Sequence, residues 1–141
     1  MFTKLTSATI YVRISKNLLH MRHIENGKEE SLSSIKQFST KRLLVGQLSV
    51  AEELIKKGVE QLIGRPLFKP SLQIIIQPLE MYLGGLSQVE ERVYQALALA
   101  AGGKKTIIWM GRELLDEEVL KLVSHSADKK IVLLSQSTLR A

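Results

Sequence analysis

Hydrophobic and polar positions alternate at the front of the chain and then change period. Ile10, Val12 and Ile14 are separated by Tyr11, Arg13 and Ser15, which is the period-two pattern of a half-buried strand. Lys16-Asn17 can turn the chain, and Leu18–Ile24 reads as a second strand. Asn26-Gly27 is a hairpin signal, because both residues tolerate the positive φ of a type I′ turn. It returns the chain into Lys28–Ser34, a polar third strand suited to a sheet edge.

After a polar connector, Lys36–Lys41, and a short apolar run, Leu43-Leu44-Val45, helical periods take over. Ser49 and Glu52 have capping-box spacing ahead of Val50, Leu54, Ile55, Gly58, Val59 and Leu62, and Gly64 supplies a stop before Arg65-Pro66. The stretch that organises the rest comes next. Leu72, Ile74, Ile75 and Ile76 make a buried strand through Pro78, and Gly84-Gly85 turns the chain towards a second helix. That helix has a capping box at Ser87 and Glu90, apolar positions at Val89, Val93, Leu97, Ala100 and Ala101, and a Gly102-Gly103 stop. A strand at Thr106–Met110, a helix at about Leu114–His125 carrying Leu115, Val119, Leu122 and Val123, and a strand at Ile131–Leu134 complete the series.

The order is β-β-β-α-β-α-β-α-β. Three meandering strands followed by right-handed crossovers predict one α/β domain over residues 1–141, with helices on a mixed five-stranded sheet. That is the order of the ribonuclease H-like architecture, which includes actin and sugar-kinase ATPase domains. No internal repeat and no dividing linker interrupts it.

Composition narrows the classes of function. The chain has no Cys, which excludes a disulfide scaffold and thiolate metal sites and fits a reducing, cytoplasmic setting. No apolar run approaches the ~20 residues of a membrane span. A net charge of +6 allows nucleic-acid binding, but the cations are dispersed as the pairs Lys41-Arg42, Lys56-Lys57, Lys104-Lys105 and Lys129-Lys130 at element ends. A solvated surface is the better account of that pattern.

One stretch of matches points to a family. Leu44–Ile55 is similar to the passage in MreB-type bacterial actins, the rod shape-determining proteins, where G-V-I-A-D leads into a V-T-E-containing helix. Gln77-Pro78 and Gln88-Val89-Glu90-Glu91-Arg92 resemble that family's V-P strand end and T-Q-V-E-R-R helix start. Ala100–Lys105 resembles its A-G-A-R-E turn. The resemblance runs from Ile10 to Thr138 and implies the first half of an actin-like ATPase. The seven residues Ser135–Ala141 beyond the last expected strand suit a complete chain or a piece of a longer one.

The departures from the family bear on chemistry. Its first phosphate loop, of type D-L-G-T, holds hydrated Mg²⁺ through Asp and admits phosphate at Gly. Arg13, Ser15 and Lys16 stand in place of Asp, Gly and Thr. Its second loop, D-x-G-G-G-T, falls on Leu133, Ser135, Gln136, Ser137 and Thr138, where the final Thr alone is kept. The E-E-P segment that positions water corresponds to Met110-Gly111-Arg112. The expectation is a half-domain without catalysis, cofactor or metal, acting by contact with a protein partner or with itself. A basic nucleic-acid binder is the alternative, and a vestigial nucleotide binder using Ser15, Lys16 and Ser135–Thr138 is a third.

Other candidate residues have structural readings beside functional ones. Glu25, Glu29 and Glu30 sit near the hairpin turn, too few and too close for a two-metal nuclease. His20 and His23 fall on opposite faces of an extended strand, a poor spacing for metal ligation. His125 suits a helix C-terminus, and Asp116, Glu117 and Glu118 suit a helix N-terminus. The Gly84-Gly85 turn could admit an anion, but no Lys follows it. Met81-Tyr82-Leu83 in a loop and Trp109 at a strand end form a possible contact patch, against the readings of loop cover and core packing.

Overall fold

The computed structural model describes residues 7–125 and the backbone of 131–135. The elements are β1 (Ser7–Ser15), β2 (Leu18–His23), β3 (Glu29–Ser33), α1 (Leu48–Ile63), β4 (Ser71–Pro78), α2 (Gln88–Ala100), β5 (Gly103–Met110), α3 (Asp116–His125) and β6 (Ile131–Ser135). Among the described residues the sheet has six strands, not five, in the order β3-β2-β1-β4-β5-β6. The β1–β2 and β2–β3 pairs are antiparallel, and β1–β4, β4–β5 and β5–β6 are parallel. This is a mixed α/β fold, and β3 lies at an edge, where its charged residues discourage further pairing.

Strand parity divides the sheet into two unequal faces. Ile10, Val12 and Ile14 of β1, Leu19 and Met21 of β2, and Leu72, Ile74 and Ile76 of β4 enter the larger core beneath α1 and α2. Leu54, Ile55 and Leu62 of α1 and Tyr94, Leu97 and Ala98 of α2 close that core. The opposite face carries a smaller core of Tyr11, Ile75, Ile107 and Trp109 against Leu114, Val119 and Leu122 around α3. Ile74, Ile75 and Ile76 are all buried because β4 is central and covered on both sides. The expectation of a half-buried β1 is corrected likewise, since Thr9 and Tyr11 on its second face are buried too.

Several local expectations change. Helix α2 has the full capping box, with Ser87 Oγ accepting from Glu90 N and Glu90 Oε1 accepting from Ser87 N. Helix α1 has no box at Ser49: its N-cap is Gln47, without a side-chain cap bond. Phe38 O accepts from Gly46 N and Gln47 N, and this fixes the entry so that Ser49 lies inside the first turn. Leu44 and Val45 are buried in that same loop rather than in a strand. Gly64 ends α1 at φ 78° as expected.

The hairpin after β2 is not type I′, because Gly27 has a positive φ (77°) and Asn26 does not. His23 N donates to Lys28 O and Gly27 N to His23 O, closing a longer loop over Ile24–Gly27. Ile24 N stays bonded to Thr9 O, and this extension leaves the left-handed position to Gly27 alone. Val89 and Leu115, expected on apolar helix faces, are instead exposed near the starts of α2 and α3. The third helix begins at Asp116, leaving Leu114 as a buried residue of the preceding loop.

Candidate functional site

Register brings the ends of most strands together. Ser15 faces Leu18, Leu18 faces Ser33, Ile14 faces Pro78, and Met110 faces Ser135. The C-terminal edge of the parallel strands therefore gathers the Lys16-Asn17 turn, the chain after Ser33, the loop Leu79–Gly85 and the loop Gly111–Leu115. Open α/β sheets place ligands at this edge.

The first hairpin is internally satisfied. Lys16 N donates to Glu80 Oε2 at 2.8 Å, so a carboxylate of the chain itself occupies a backbone donor at the expected phosphate loop. Asn17 N donates to Ser39 Oγ at 3.0 Å, and Ser39 N returns a bond to Asn17 Oδ1 at 2.8 Å. Arg13 pairs with Glu113 at 2.8 Å, its guanidinium carbon 6.0 Å from the centre of the Tyr11 ring. Ser15 ends β1, and Ser135 ends β6 across the sheet with two strands between them. Gln136, Ser137 and Thr138 lie outside the described residues.

The expected contact patch divides. Met81, at φ 57°, and Leu83 are exposed, 37% and 94%, and Tyr82 is half-buried. Trp109 does not belong with them. It is fully buried in the smaller core, and its Nε1 donates to Arg112 O at 2.8 Å. Core packing wins there because α3 covers the end of β5.

Beneath the Gly111–Leu115 loop is a buried polar junction. The Tyr11 hydroxyl donates to Gln77 Oε1 and accepts from Leu114 N at 3.0 Å. Gln77 Nε2 donates to Gly111 O at 2.7 Å and Arg112 O at 3.2 Å. Burial pushes the Tyr11 hydroxyl up to about 12, so it remains a neutral donor. These bonds fix the entry to α3.

Because α3 packs over β4, β5 and Tyr11 of β1, the second face of β2 and β3 and the Arg13 end of β1 are covered by no helix among the described residues. A groove of about 600 Å³ runs there, with Arg13, His20, Arg22 and Ser31 on its floor and Glu113–Glu117 on its wall. Arg22 grips Asp116 with two bonds of 2.8 Å and also reaches Glu29 at 3.1 Å. The Asp116 bond raises the Arg22 pKa further, and the same bond lowers that of Asp116. Nearby, Arg112 forks onto Glu118, whose carboxyl is lowered to about 2, first by that bond and then by the Leu115 N–H. The groove carries four carboxylates (Glu29, Glu113, Asp116, Glu117) and two guanidiniums, while Glu30, paired with core-facing Met21, points to the other face.

The histidines do fall on opposite faces. His20 Nδ1 lies 2.9 Å from Ser31 Oγ in the groove, while His23 is buried on the other side, 3.6 Å from Glu25. His20 and Ser31 are direct cross-strand partners, which explains their contact. Among the described residues no acid is bonded to the other ring nitrogen, the orienting group that an activated serine uses. Glu25 is spent on Thr9 N and Oγ1, at 2.7 and 2.8 Å. Among the described residues no group of three or more His, Cys, Asp or Glu could hold a metal, and no helix is long and apolar enough to cross a membrane. The groove was missed as a unit in the sequence, although parity already aligned Tyr11, Arg13, His20 and Arg22 on one face.

No protein-family model matches the chain, and no solved structure matches it. It is similar to the uncharacterized protein YjaA of Escherichia coli (strain K12), with 35% identity over 99 residues covering 67% of this chain and 76% of that protein.

Proposed function

The chain belongs to the family of the uncharacterized Escherichia coli protein YjaA, and on that premise we propose that it is a non-catalytic interaction module acting by protein–protein contact. The observation that carries this reading is the apolar character of the C-terminal edge. Ile35, Leu83, Val89 and Leu115 are 104%, 94%, 64% and 62% exposed on segments that register brings to one end of the sheet. Four exposed apolar side chains at that end favour a partner surface there, and Leu67 and Phe68, 91% and 81% exposed in the loop before β4, make a smaller apolar site at the opposite end. The finer reading is an actin-like half-domain resembling a rod shape-determining protein, at work in the cytoplasm on cell-shape or envelope organisation. The three-strand meander followed by parallel crossovers supports it.

Two observations favour contact over the alternatives. Glu80 already fills the Lys16 N–H that a phosphate would need. The carboxylate excess of the groove repels nucleic-acid phosphates from that face. Sedimentation at several protein concentrations, with capture of a partner from cell extract, tests the reading. Association with itself or a partner is expected for the native chain and lost in Ile35→Ser/Leu83→Ser. A strict monomer that captures nothing overturns it. So does a rise in the thermal midpoint with millimolar Mg-ATP, since a nucleotide that binds the folded state must stabilise it.

A further inference from the structure

We propose that the uncovered face of β2 and β3, with the Arg13 end of β1, docks a lysine- or arginine-rich peptide segment of a protein partner in the groove beside α3. This rests on the contact reading above and adds the chemistry of the partner. A sheet normally has both faces covered when helices cross it, yet here α1 and α2 cover one face and α3 covers half of the other. The remaining half is a groove of about 600 Å³ whose floor is polar, so its occupant is polar too.

Charge selects that occupant. Arg22 serves two carboxylates at once, Asp116 and Glu29, so the pairing leaves one negative charge uncompensated. Arg13 and Glu113 balance each other. Glu117, exposed on the α3 wall, adds one more, whereas Glu30 pairs with core-facing Met21 and points to the opposite face. The lining is therefore negative on a chain whose total is +6. A cationic side chain entering from outside would sit between the β3 and α3 carboxylates. A flexible basic segment fits better than a folded basic surface, because the groove is narrow enough for Arg22 to span from β2 to the first turn of α3. Such a contact is charge-steered and weakens with salt.

The positive total makes the test sharp, because a polycation is repelled by the molecule as a whole and binds only where negative charge is local. Binding of fluorescein-labelled octalysine to the full chain is followed by anisotropy at about 20 and 300 mM salt. Glu29→Gln/Glu117→Gln is compared with Glu52→Gln/Glu53→Gln on α1, which changes net charge equally on the other face. The expected result is binding at low salt that falls with salt, weakens at least fivefold in the groove variant and changes less than twofold in the α1 variant. Absence of octalysine binding, equal weakening in both variants, or preference for octaglutamate overturns the proposal. If octalysine fails while the chain still associates through its apolar edge, the contact reading stands and the cationic groove falls. Circular dichroism of both variants confirms that they fold.

Discussion

Replacing Tyr11 by Phe removes one oxygen from a junction where three segments meet. The hydroxyl joins β1 to Gln77 on β4 and to Leu114 N ahead of α3. Tyr11 is 3% exposed and Gln77 1%, so water cannot replace the lost partner. The substitution leaves a buried amide oxygen and a buried N–H unpaired, each costing about 1–3 kcal/mol, partly offset because the hydroxyl itself no longer has to be desolvated. The expected net loss is about 2–3 kcal/mol, a substantial part of a domain's ~5–15 kcal/mol. With a urea slope near ~1.5 kcal/mol/M the midpoint drops by about 1–2 M. A double-mutant cycle with Gln77→Leu locates the effect, because Tyr11→Phe costs less once its acceptor is gone, with a coupling of about 1 kcal/mol. A loss below ~0.5 kcal/mol, or strict additivity of the two changes, would refute the claim that this junction holds the α3 entry in place.

The same hydroxyl predicts an alkaline limit: its pKa rises from 10.0 unfolded to about 12 folded, so the folded state keeps a proton that the unfolded state sheds. That contribution is full below pH 10 and lost as pH climbs to about 12, and thermal melts across this range should fall less steeply in Tyr11→Phe, with burial of Tyr94 acting in the same direction. Glu118 has the opposite sign, being lowered from 4.5 to about 2, so its contribution is full above pH 4.5 and disappears towards pH 2. Glu118→Gln should flatten acid denaturation followed by circular dichroism, and an unchanged acid profile would dismiss the Arg112 fork as a source of stability. Ser87→Ala should cost about 1 kcal/mol in urea by removing a helix cap, whereas Ser49→Ala should stay within ~0.5 kcal/mol because Ser49 caps nothing.

Where local chemistry decides, the sequence was readable. The period-two run of β1, the isoleucines of β4 and the Ser87–Glu90 box are each sufficient within a few residues, and all three correspond to structure. Ser49 and Glu52 have the same spacing as the working box, but Phe38 O, nine residues back from Gln47, fixes where α1 begins. Trp109 shows a second limit: a large side chain at a strand end is surface or core according to whether a helix arrives above it, and α3 is set by bonds from Gln77 and Tyr11. The groove is harder still. Its floor follows from parity in β1 and β2, but its wall depends on where α3 lands, and the Arg22–Asp116 clamp spans most of the chain. Exposure of Val89 and Leu115 reflects helix starts rather than helix faces, which periodicity does not separate.

The position of β1 has a consequence for how the chain acquires its structure. Its antiparallel neighbour β2 follows after a two-residue turn, while its parallel neighbour β4 joins Ser7 to Ser71 and Ile14 to Pro78, roughly sixty residues later. The β1–β2–β3 meander can assemble from local contacts on a fast timescale, and α1 can pack on it before β4 has been made. During synthesis at ~5–20 residues per second, one side of β1 would offer unpaired N–H and C=O groups for on the order of 3–12 s. That interval is a window for mispairing between nascent chains, and it closes when the isoleucine strand arrives.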